Sequence, residues 1–148
     1  MTPPELDYRT AFELAPIGLV LSRNRLMIDC NRAVLEMFAA TREEMVGRSF
    51  EVLYPSTDEF QRTGERIVAR LDGAGRYADE RVMRRMSGEL FWCHVSGRAL
   101  DPSAPHAAGI WAFEDLSSRR ALKIEFTARE REIAALLIDG LTSKQIGK

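Results

Sequence analysis

The fold is decided by the stretch Leu26-Met-Ile-Asp-Cys-Asn-Arg-Ala-Val34, whose pattern changes from strand to helix at Asn31. Upstream, Ile17–Ser22 is apolar and predicts a buried strand, and the polar residues 23–25 predict a turn into a return strand at 26–30. From Arg32 to Ala40 the apolar residues take helical spacing. The folded body is therefore predicted to begin with a hairpin that leads directly into a helix.

Two capping boxes mark the next helices. Thr41-x-x-Glu44 predicts a short helix that ends at Gly47, and Ser56-x-x-Glu59 predicts a helix that runs to about Leu71. In a capping box, each side chain satisfies a backbone donor that the other residue leaves free. The second helix is amphipathic, and its predicted apolar face consists of Phe60, Ile67, Val68 and Leu71.

The spacing changes to that of strands at Arg76. Strands are predicted over Tyr77–Met86, Leu90–Leu100 and Ala108–Glu114, separated by the turn Ser87-Gly88 and a loop at 101–105. Two strands, a helical block and three further strands indicate an α+β fold. We expect a five-stranded antiparallel sheet covered by helices on one face, followed by a helical C-terminal tail.

Composition places the chain among ordinary soluble proteins. Its 148 residues correspond to one domain with a short extension, and 45% are hydrophobic and 29% charged. The sequence contains no apolar run of bilayer length and no secretory signal, and Cys30 and Cys93 lack the spacing of a redox or zinc pair. These features predict a cytoplasmic, reduced protein that does not enter a membrane.

The charge is distributed unevenly along the chain. Residues 1–116 carry 14 Arg, no Lys and 18 Asp or Glu, whereas residues 117–148 carry 7 Lys or Arg and 4 Asp or Glu. An acidic body joined to a basic tail is consistent with two functions joined end to end, although so short a tail could also acquire this balance by chance.

Four segments resemble, in the correct order, parts of a PAS domain. They are Ile28-Asp-Cys-Asn-Arg-Ala33, Arg42-Glu-Glu-Met-Val-Gly-Arg48, Arg85-Met-Ser-Gly-Glu-Leu-Phe-Trp92 and Trp111-Ala-Phe-Glu-Asp-Leu-Ser117. The resemblance implies a PAS sensor domain over 1–116. It also implies that Asn31 ties the second strand to the following helix, and that Asp115 anchors the exit of the last strand.

The tail resembles the start of a LuxR-type helix-turn-helix. Phe126-Thr127, Arg129-Glu-Arg-Glu-Ile133, Leu136 and Gly140-Leu-Thr-Ser-Lys-Gln-Ile146 match that pattern. The resemblance implies a connector helix over 117–126 and a truncated helix-turn-helix over 127–148, which stops before the recognition helix. Lys144 would contact DNA phosphate in the full-length protein, and 127–148 alone should not bind DNA specifically.

The PAS resemblance also bears on cofactors. PAS domains that bind haem take a histidine from the long helix, and residues 57–72 contain none. The flavin domains that form a covalent adduct use an Asn-Cys-Arg signature, whereas Cys30 precedes its Asn. We therefore expect no haem and no covalent flavin, while a non-covalently held small molecule remains compatible with the fold. The candidate cavity residues are Met27, Phe38, Ile67, Leu71, Val82, Val95 and Phe113, although filling the core is the favoured role for residues of this kind.

Other functional classes find little support. The sequence shows no phosphate-binding glycine loop and no catalytic triad pattern, and neighbouring residues Cys93 and His94 point to opposite faces of a strand. We expect no catalytic residue and no metal site. Arg81, Arg84 and Arg85 are predicted to lie on a solvated outer sheet face.

These observations favour the sensory domain of a bacterial LuxR-family transcription regulator. The alternatives are a PAS interaction module that binds no ligand, and an input domain of a kinase or cyclase. Apolar residues before the first strand must cover a sheet face or a partner, so we also expect a homodimer. Those residues are Leu6, Tyr8, Phe12 and Leu14.

Overall fold

The computed structural model describes residues 5–118. The chain divides into two units after Asp115, and the sheet with its helices belongs to the first. Its helices are α1 (Tyr8–Leu14), α2 (Arg32–Met37), α3 (Arg42–Met45) and α4 (Thr57–Arg70), with a 3-10 turn at Phe50–Leu53. Its strands are β1 (Gly18–Arg23), β2 (Leu26–Cys30), β3 (Arg76–Arg84), β4 (Leu90–Ala99) and β5 (Ala108–Asp115).

All five strands form one antiparallel sheet. The strand order is β2-β1-β5-β4-β3, so β5 lies at the centre and β1 pairs with both β2 and β5. In the register of β1 and β5, Val20 is opposite Trp111. This arrangement confirms the predicted α+β fold with a five-stranded antiparallel sheet.

The hairpin between β1 and β2 has a two-residue turn. Asn24 and Arg25 both have positive φ, at 52° and 63°, and Arg23 pairs with Leu26. Two positive φ values define the type I′ turn, whose twist matches that of the flanking strands. The turn fixes the backbone of Arg25, whose side chain reaches toward α4 and forms part of the candidate site.

Helix α2 is shorter than predicted, since it ends at Met37 rather than at Ala40. Ala39 has a left-handed φ of 52°, its amide donates to the Glu36 carbonyl, and the Ala40 amide donates to the Leu35 carbonyl. These two bonds form a Schellman motif, which ends a helix by satisfying its last carbonyl groups. Such a motif usually contains glycine, so the sequence carried no clear stop signal at this point.

The predicted caps of α3 and α4 are present. The Thr41 and Glu44 side chains each bond the other's backbone amide, which completes the first capping box. At the start of α4, the Ser56 hydroxyl accepts from the Glu59 amide. The end of α3 is followed by Gly47 at a positive φ of 85°. These local interactions explain why the helix starts could be located from sequence.

The core lies between the sheet and helices α2 to α4. Phe38 is fully buried and packs edge-on against Phe91 and Phe113, with ring centroids 5.3 and 5.8 Å away. Only Val68 departs from the predicted apolar face of α4, since it is 53% exposed whereas the other three residues of that face are buried or pack against the core. The predicted apolar face of α4 was therefore wrong at Val68.

Helix α1 packs beside α2 and buries none of its residues fully. Leu6, Tyr8 and Leu14 are exposed, whereas Phe12 is half-buried. Within residues 5–118, no helix is long and apolar enough to cross a membrane. Ser117 and Ser118 are helical. The rest of the predicted connector and the predicted helix-turn-helix over 127–148, including Lys144, lie outside the described residues.

Candidate ligand-binding cavity

A small cavity opens between the inner sheet face, the 3-10 turn and α4. The volume of the cavity that is accessible to water is about 30 Å³. This is room for about two or three water molecules. The half-buried residues Arg25, Pro105 and His106 lie at its outer end. The complete lining consists of these three with Ser22, Phe50, Tyr54, Ile67, Arg81, Val95, Trp111 and Phe113.

Six of the seven candidate cavity residues fall into two groups of three. Ile67, Val95 and Phe113 line the cavity, as expected for ligand-binding positions. Met27 and Phe38 are fully buried in the core, and Leu71 packs at its edge; none of these three belongs to the cavity wall. Whether the first group contacts a ligand stays a prediction.

The prediction that the seventh candidate, Val82, lines the cavity was wrong. The prediction that Arg81 lies on the outer sheet face was wrong for the same reason. Side chains alternate across a strand, and β3 turns Tyr77, Asp79, Arg81 and Met83 inward. Val82 therefore points to the outer face, while Arg81 is only 8% exposed and reaches the cavity. Of the three predicted outer-face arginines, Arg84 is exposed, and the Arg85 side chain is largely buried.

Arg81 is the most deeply buried charge of the cavity wall. Its Nε donates to Asp79 at 2.7 Å, and its Nη1 donates to the Tyr54 hydroxyl at 2.7 Å. Its Nη2 has no hydrogen-bond partner within the described part of the chain. Burial disfavours the charged form, but Tyr54 and Asp79 outweigh it and raise the pKa of Arg81, so the guanidinium stays charged.

Asp79 holds Arg81 in place. Its second oxygen accepts from the Tyr77 hydroxyl at 2.6 Å and lies 3.4 Å from Nη1 of Arg66. Burial opposes ionisation of Asp79, yet hydrogen bonds and charge from Arg81, followed by Tyr77 and Arg66, lower its pKa below the ordinary value. Asp79 is therefore a carboxylate at neutral pH, and both of its oxygens are engaged.

Arg25 forms a second cationic part of the wall. Its guanidinium carbon lies 3.6 Å from the centre of the Phe60 ring, and its Nη2 donates to the Phe60 carbonyl at 3.0 Å. Burial is the main cause that lowers the pKa of Arg25, without bringing it near neutrality. A side chain added at Gly64 would approach Arg25 Nη1 to 2.5 Å, so the absence of a side chain at Gly64 makes room for this stacking.

Two further polar groups complete the wall. His106 Nε2 lies 3.2 Å from the Gly64 carbonyl, which can only accept, so this nitrogen carries the proton. Burial, and then the charge of Arg25, lower the pKa of His106, which is neutral at pH 7. On the opposite side, Trp111 Nε1 donates to the Ser22 hydroxyl at 3.1 Å. The Ser22 hydroxyl in turn donates its proton to the Gly109 carbonyl, 3.4 Å away, so that it has no further proton to offer a ligand.

The Asn31 side chain connects three segments of the chain by hydrogen bonds. Its side-chain oxygen accepts from the amides of Leu19 and Val34, and its side-chain nitrogen donates to the carbonyls of Phe12 and Ile17. This fully buried side chain thus joins β1, the start of α2 and the N-terminal segment. It lies outside the cavity wall. Asp115 is the other residue to which the PAS resemblance assigns a structural role. It is the last residue of β5, and its carboxylate pairs with Arg85.

The cysteines offer no reactive thiol near the cavity. Burial raises the pKa of both Cys30 and Cys93 to about 12, which leaves them as neutral thiols at physiological pH. Cys93 is fully buried, whereas the adjacent His94 is half-buried on the other side of the strand. Within residues 5–118, no group of three or more metal-binding side chains is clustered.

The sequence did not identify Arg81, Arg25 or Tyr54 as site residues. One signal was available, because Asp79 and Arg81 are two residues apart and therefore share a face of the predicted strand. An opposite-charge pair on one face is compatible with burial, since each group neutralises the other. Tyr54 is distant in sequence and could not have been assigned to the same site.

Comparison with known proteins identifies the family. A family model described as "PAS domain" matches residues 16–118. The chain is also 29% identical over 134 residues to "Sensor protein TdiS" of Thauera aromatica, covering 90% of this chain. It spans only 24% of that relative's length.

Solved structures agree with this result. A PAS domain in complex with ethanol, from a LuxR-family transcriptional regulator of Burkholderia thailandensis, is 62% identical, with a TM-score of 0.74 over 76% of this chain and 99% of that one. A PAS domain from Colwellia psychrerythraea shares the fold at 13% identity, with a TM-score of 0.65 over 74% and 94% of the two chains. The resemblance in the four sequence segments is thus confirmed, and this chain belongs to the PAS domain family as a sensory domain.

Proposed function

We propose that the chain is the sensory part of a LuxR-family transcriptional regulator. Residues 1–116 would sense a small molecule, 117–126 would relay the signal, and 127–148 would begin the DNA-binding module. Support comes from the tail motif and from the 62% identity to a PAS domain of a LuxR-family regulator. In this proposal the chain is a regulator and not an enzyme, and it carries neither haem nor a covalent flavin.

One observation carries the ligand-sensing role. Arg81 is a buried guanidinium whose Nη2 lacks a hydrogen-bond partner among residues 5–118. Leaving such a donor unsatisfied is costly, so a bound molecule that accepts its hydrogen bond would be stabilised. The cavity is also large enough to hold a molecule of the size of ethanol. Ethanol is the molecule bound in the PAS domain of the Burkholderia thailandensis relative.

The position of the cavity suggests how a ligand would act. Trp111 and Phe113 line it from β5, the strand that ends at Asp115 and leads into the connector. A ligand with different affinities for two arrangements of β5 would shift the population between them. The connector would then transmit that shift toward the DNA-binding module and change its affinity for the promoter.

We further propose that the sensory domain acts as a homodimer, with the N-terminal segment and the outer sheet face at the interface. Leu6 and Tyr8 are 91% and 96% exposed, and Ile110 is 47% exposed on the outer face of β5. Large exposed apolar side chains of this kind are typical of interaction surfaces. A PAS module that dimerises without a ligand is the second candidate, and the same surface supports it.

A promoter reporter in cells that carry the complete regulator tests the sensory role. Ile67→Phe fills the cavity, whereas Val68→Phe places the same ring on the exposed side of the same helix. We expect Ile67→Phe to abolish signal-dependent expression and Val68→Phe to preserve it. Circular dichroism must show that both variants fold, because overpacking costs about 1–3 kcal/mol.

An unchanged response in a folded Ile67→Phe variant would contradict ligand sensing and favour the interaction module. Native mass spectrometry of the protein purified from cells provides an independent measurement. A bound small molecule that is absent from Ile67→Phe supports the proposal.

A further inference from the structure

The hydrogen-bonding groups of the cavity favour a ligand that accepts hydrogen bonds. Arg81 Nη2 is a donor without a partner among the described residues. The Tyr54 hydroxyl accepts from Arg81, which uses a lone pair and leaves its own proton available. Ser22 already donates to the Gly109 carbonyl and accepts from Trp111. Two donors on one side of the cavity are thus available to a pair of acceptor oxygens.

The charges around the cavity favour an anion. Arg25 and Arg81 line it, and no Asp or Glu does. Asp79 lies behind Arg81 and is shared with Arg66. Two further acids lie near Arg25 but outside this wall. Glu51 accepts from the Thr57 hydroxyl at 2.6 Å, and Glu65 lines a neighbouring surface pocket with Arg25 and His106.

The cavity wall itself therefore carries two guanidinium groups and no carboxylate. His106 is neutral at pH 7 and adds no charge to this wall. A ligand with a negative charge would be attracted by both guanidinium groups.

The size and apolar lining of the cavity limit the rest of the ligand. The space holds about two or three water-sized atoms, and Ile67, Val95 and Phe113 form its apolar side. A carboxylate group with a methyl substituent, which amounts to two oxygens and one methyl group, matches the size of the space, the donors and this apolar side.

We propose that the sensed ligand is a monocarboxylate of acetate size, bound by Arg81 Nη2 and the Tyr54 hydroxyl. One carboxylate oxygen accepts from each donor, and the alkyl group contacts the apolar side. This assignment rests on the proposed sensory function and specifies the chemistry of the same site.

Binding can be measured with Trp111 as the reporter, since it lines the cavity. The substitution Trp92→Phe removes the other tryptophan, which lies on the opposite face of the sheet. The 148-residue chain is titrated with sodium acetate at pH 7 and constant ionic strength. Sodium chloride and ethanol serve as an anion control and as a neutral ligand of similar size. We expect saturable binding of acetate, at least tenfold weaker binding of ethanol, and no binding of chloride or hexanoate.

Two variants test the assigned contacts. Tyr54→Phe removes only the hydroxyl and should weaken acetate binding about tenfold, as expected for one hydrogen bond to a charged group. Arg81→Gln should abolish binding. Arg84→Gln, an exposed arginine on the same strand, should leave it unchanged. If Arg81→Gln fails to fold because Asp79 loses its partner, Tyr54→Phe still provides the test.

Several results would overturn the proposal. They are the absence of saturable acetate binding to the folded chain, ethanol binding as tightly as acetate, or an Arg84→Gln effect as large as that of Tyr54→Phe. If acetate fails to bind while Ile67→Phe still abolishes the reporter response, the carboxylate assignment is wrong and the sensory function stands. If acetate binds but Ile67→Phe leaves the response intact, the sensory function fails instead.

Discussion

Arg85 Nη2 lies 3.0 Å from the Asp115 carboxylate, joining the end of β3 to the last residue of β5. The same guanidinium bonds the Met37 carbonyl at the end of α2 and the Glu89 carboxylate, and it stacks 3.8 Å from the centre of the Phe91 ring. Only 14% of the Arg85 side chain is exposed. The exit of the central strand is thus attached to two other elements by one side chain.

This attachment predicts that Asp115→Asn destabilises the domain. The substitution removes the negative charge opposite Arg85 but keeps the shape of the side chain. We expect the free energy of unfolding in urea to fall by about 1 kcal/mol. Glu36→Gln, which removes one exposed charge from α2, should change it by less than about 0.5 kcal/mol. Equal effects of the two variants would show that the ion pair has no special role.

The left-handed residue that ends α2 gives a second prediction. Ala39 is exposed and has a φ of 52°, a conformation that glycine adopts without steric cost. Ala39→Gly should therefore stabilise the domain by about 0.5–1 kcal/mol. Ala33→Gly, within the same helix, should destabilise it by about 1 kcal/mol. Thermal unfolding of both variants checks the pair, and a destabilised Ala39→Gly would contradict the strain argument.

The buried carboxylate Asp79 predicts how stability depends on pH. Its pKa is lower in the folded state than in the unfolded state. Its contribution is therefore fully present above the unfolded pKa of about 4 and is lost as the pH falls through the folded pKa. Urea unfolding between pH 6 and pH 2.5 should show a steep loss of stability at the acidic end.

The variant Asp79→Asn isolates this contribution. It should be less stable than the unmodified chain at pH 6, because Arg81 loses its charged partner, and its stability should depend less on pH. Asp101→Asn is the matched control, since Asp101 also has a lowered pKa but is fully exposed. If the two variants show the same pH profile, the Asp79–Arg81 pair does not cause the acid sensitivity.

The close contact between Gly64 and Arg25 gives a prediction for the outer end of the cavity. Gly64→Ala would displace the Arg25 guanidinium from the Phe60 ring, because the new Cβ approaches Arg25 Nη1 to 2.5 Å. Loss of this stacking costs about 1 kcal/mol, but the gain in helix propensity at a position inside α4 offsets it, so we expect weaker ligand binding with little change in urea unfolding. At Gly73 no atom lies within 4 Å of an added Cβ, so Gly73→Ala serves as the control. A stable Gly64→Ala variant with unchanged ligand affinity would contradict the role of Arg25.

The proposed dimer is checked by light scattering at high micromolar concentration. We expect a dimer, and we expect the double substitution Leu6→Asp with Tyr8→Asp to convert it to a monomer. Val68→Asp is the matched control, because Val68 is 53% exposed on α4 and lies neither in the N-terminal segment nor on the outer sheet face. A clean monomer for the unsubstituted chain would contradict the proposed interface.

The sequence by itself determined the starts of α2, α3 and α4, the hairpin, and the order of strands along the chain, but it did not identify α1. Asn31, Thr41 and Ser56 each bond a backbone amide three residues ahead, and such contacts form whatever the rest of the chain does. The same is true of the turn at 24–25, where two residues join paired strands. Local signals of this kind can be recognised from residue order alone.

Only the tertiary structure decided which face of β3 meets the cavity. Alternation allows two assignments, and hydropathy favours Val82 over Arg81 as the inward residue. The fold reverses this choice because Tyr54, which is 27 residues away in the chain, meets Arg81 and joins Asp79 in bonding it. Burial of a charge is tolerated only where such partners converge. Their convergence depends on how the 3-10 turn packs against the sheet, which the sequence of β3 does not contain.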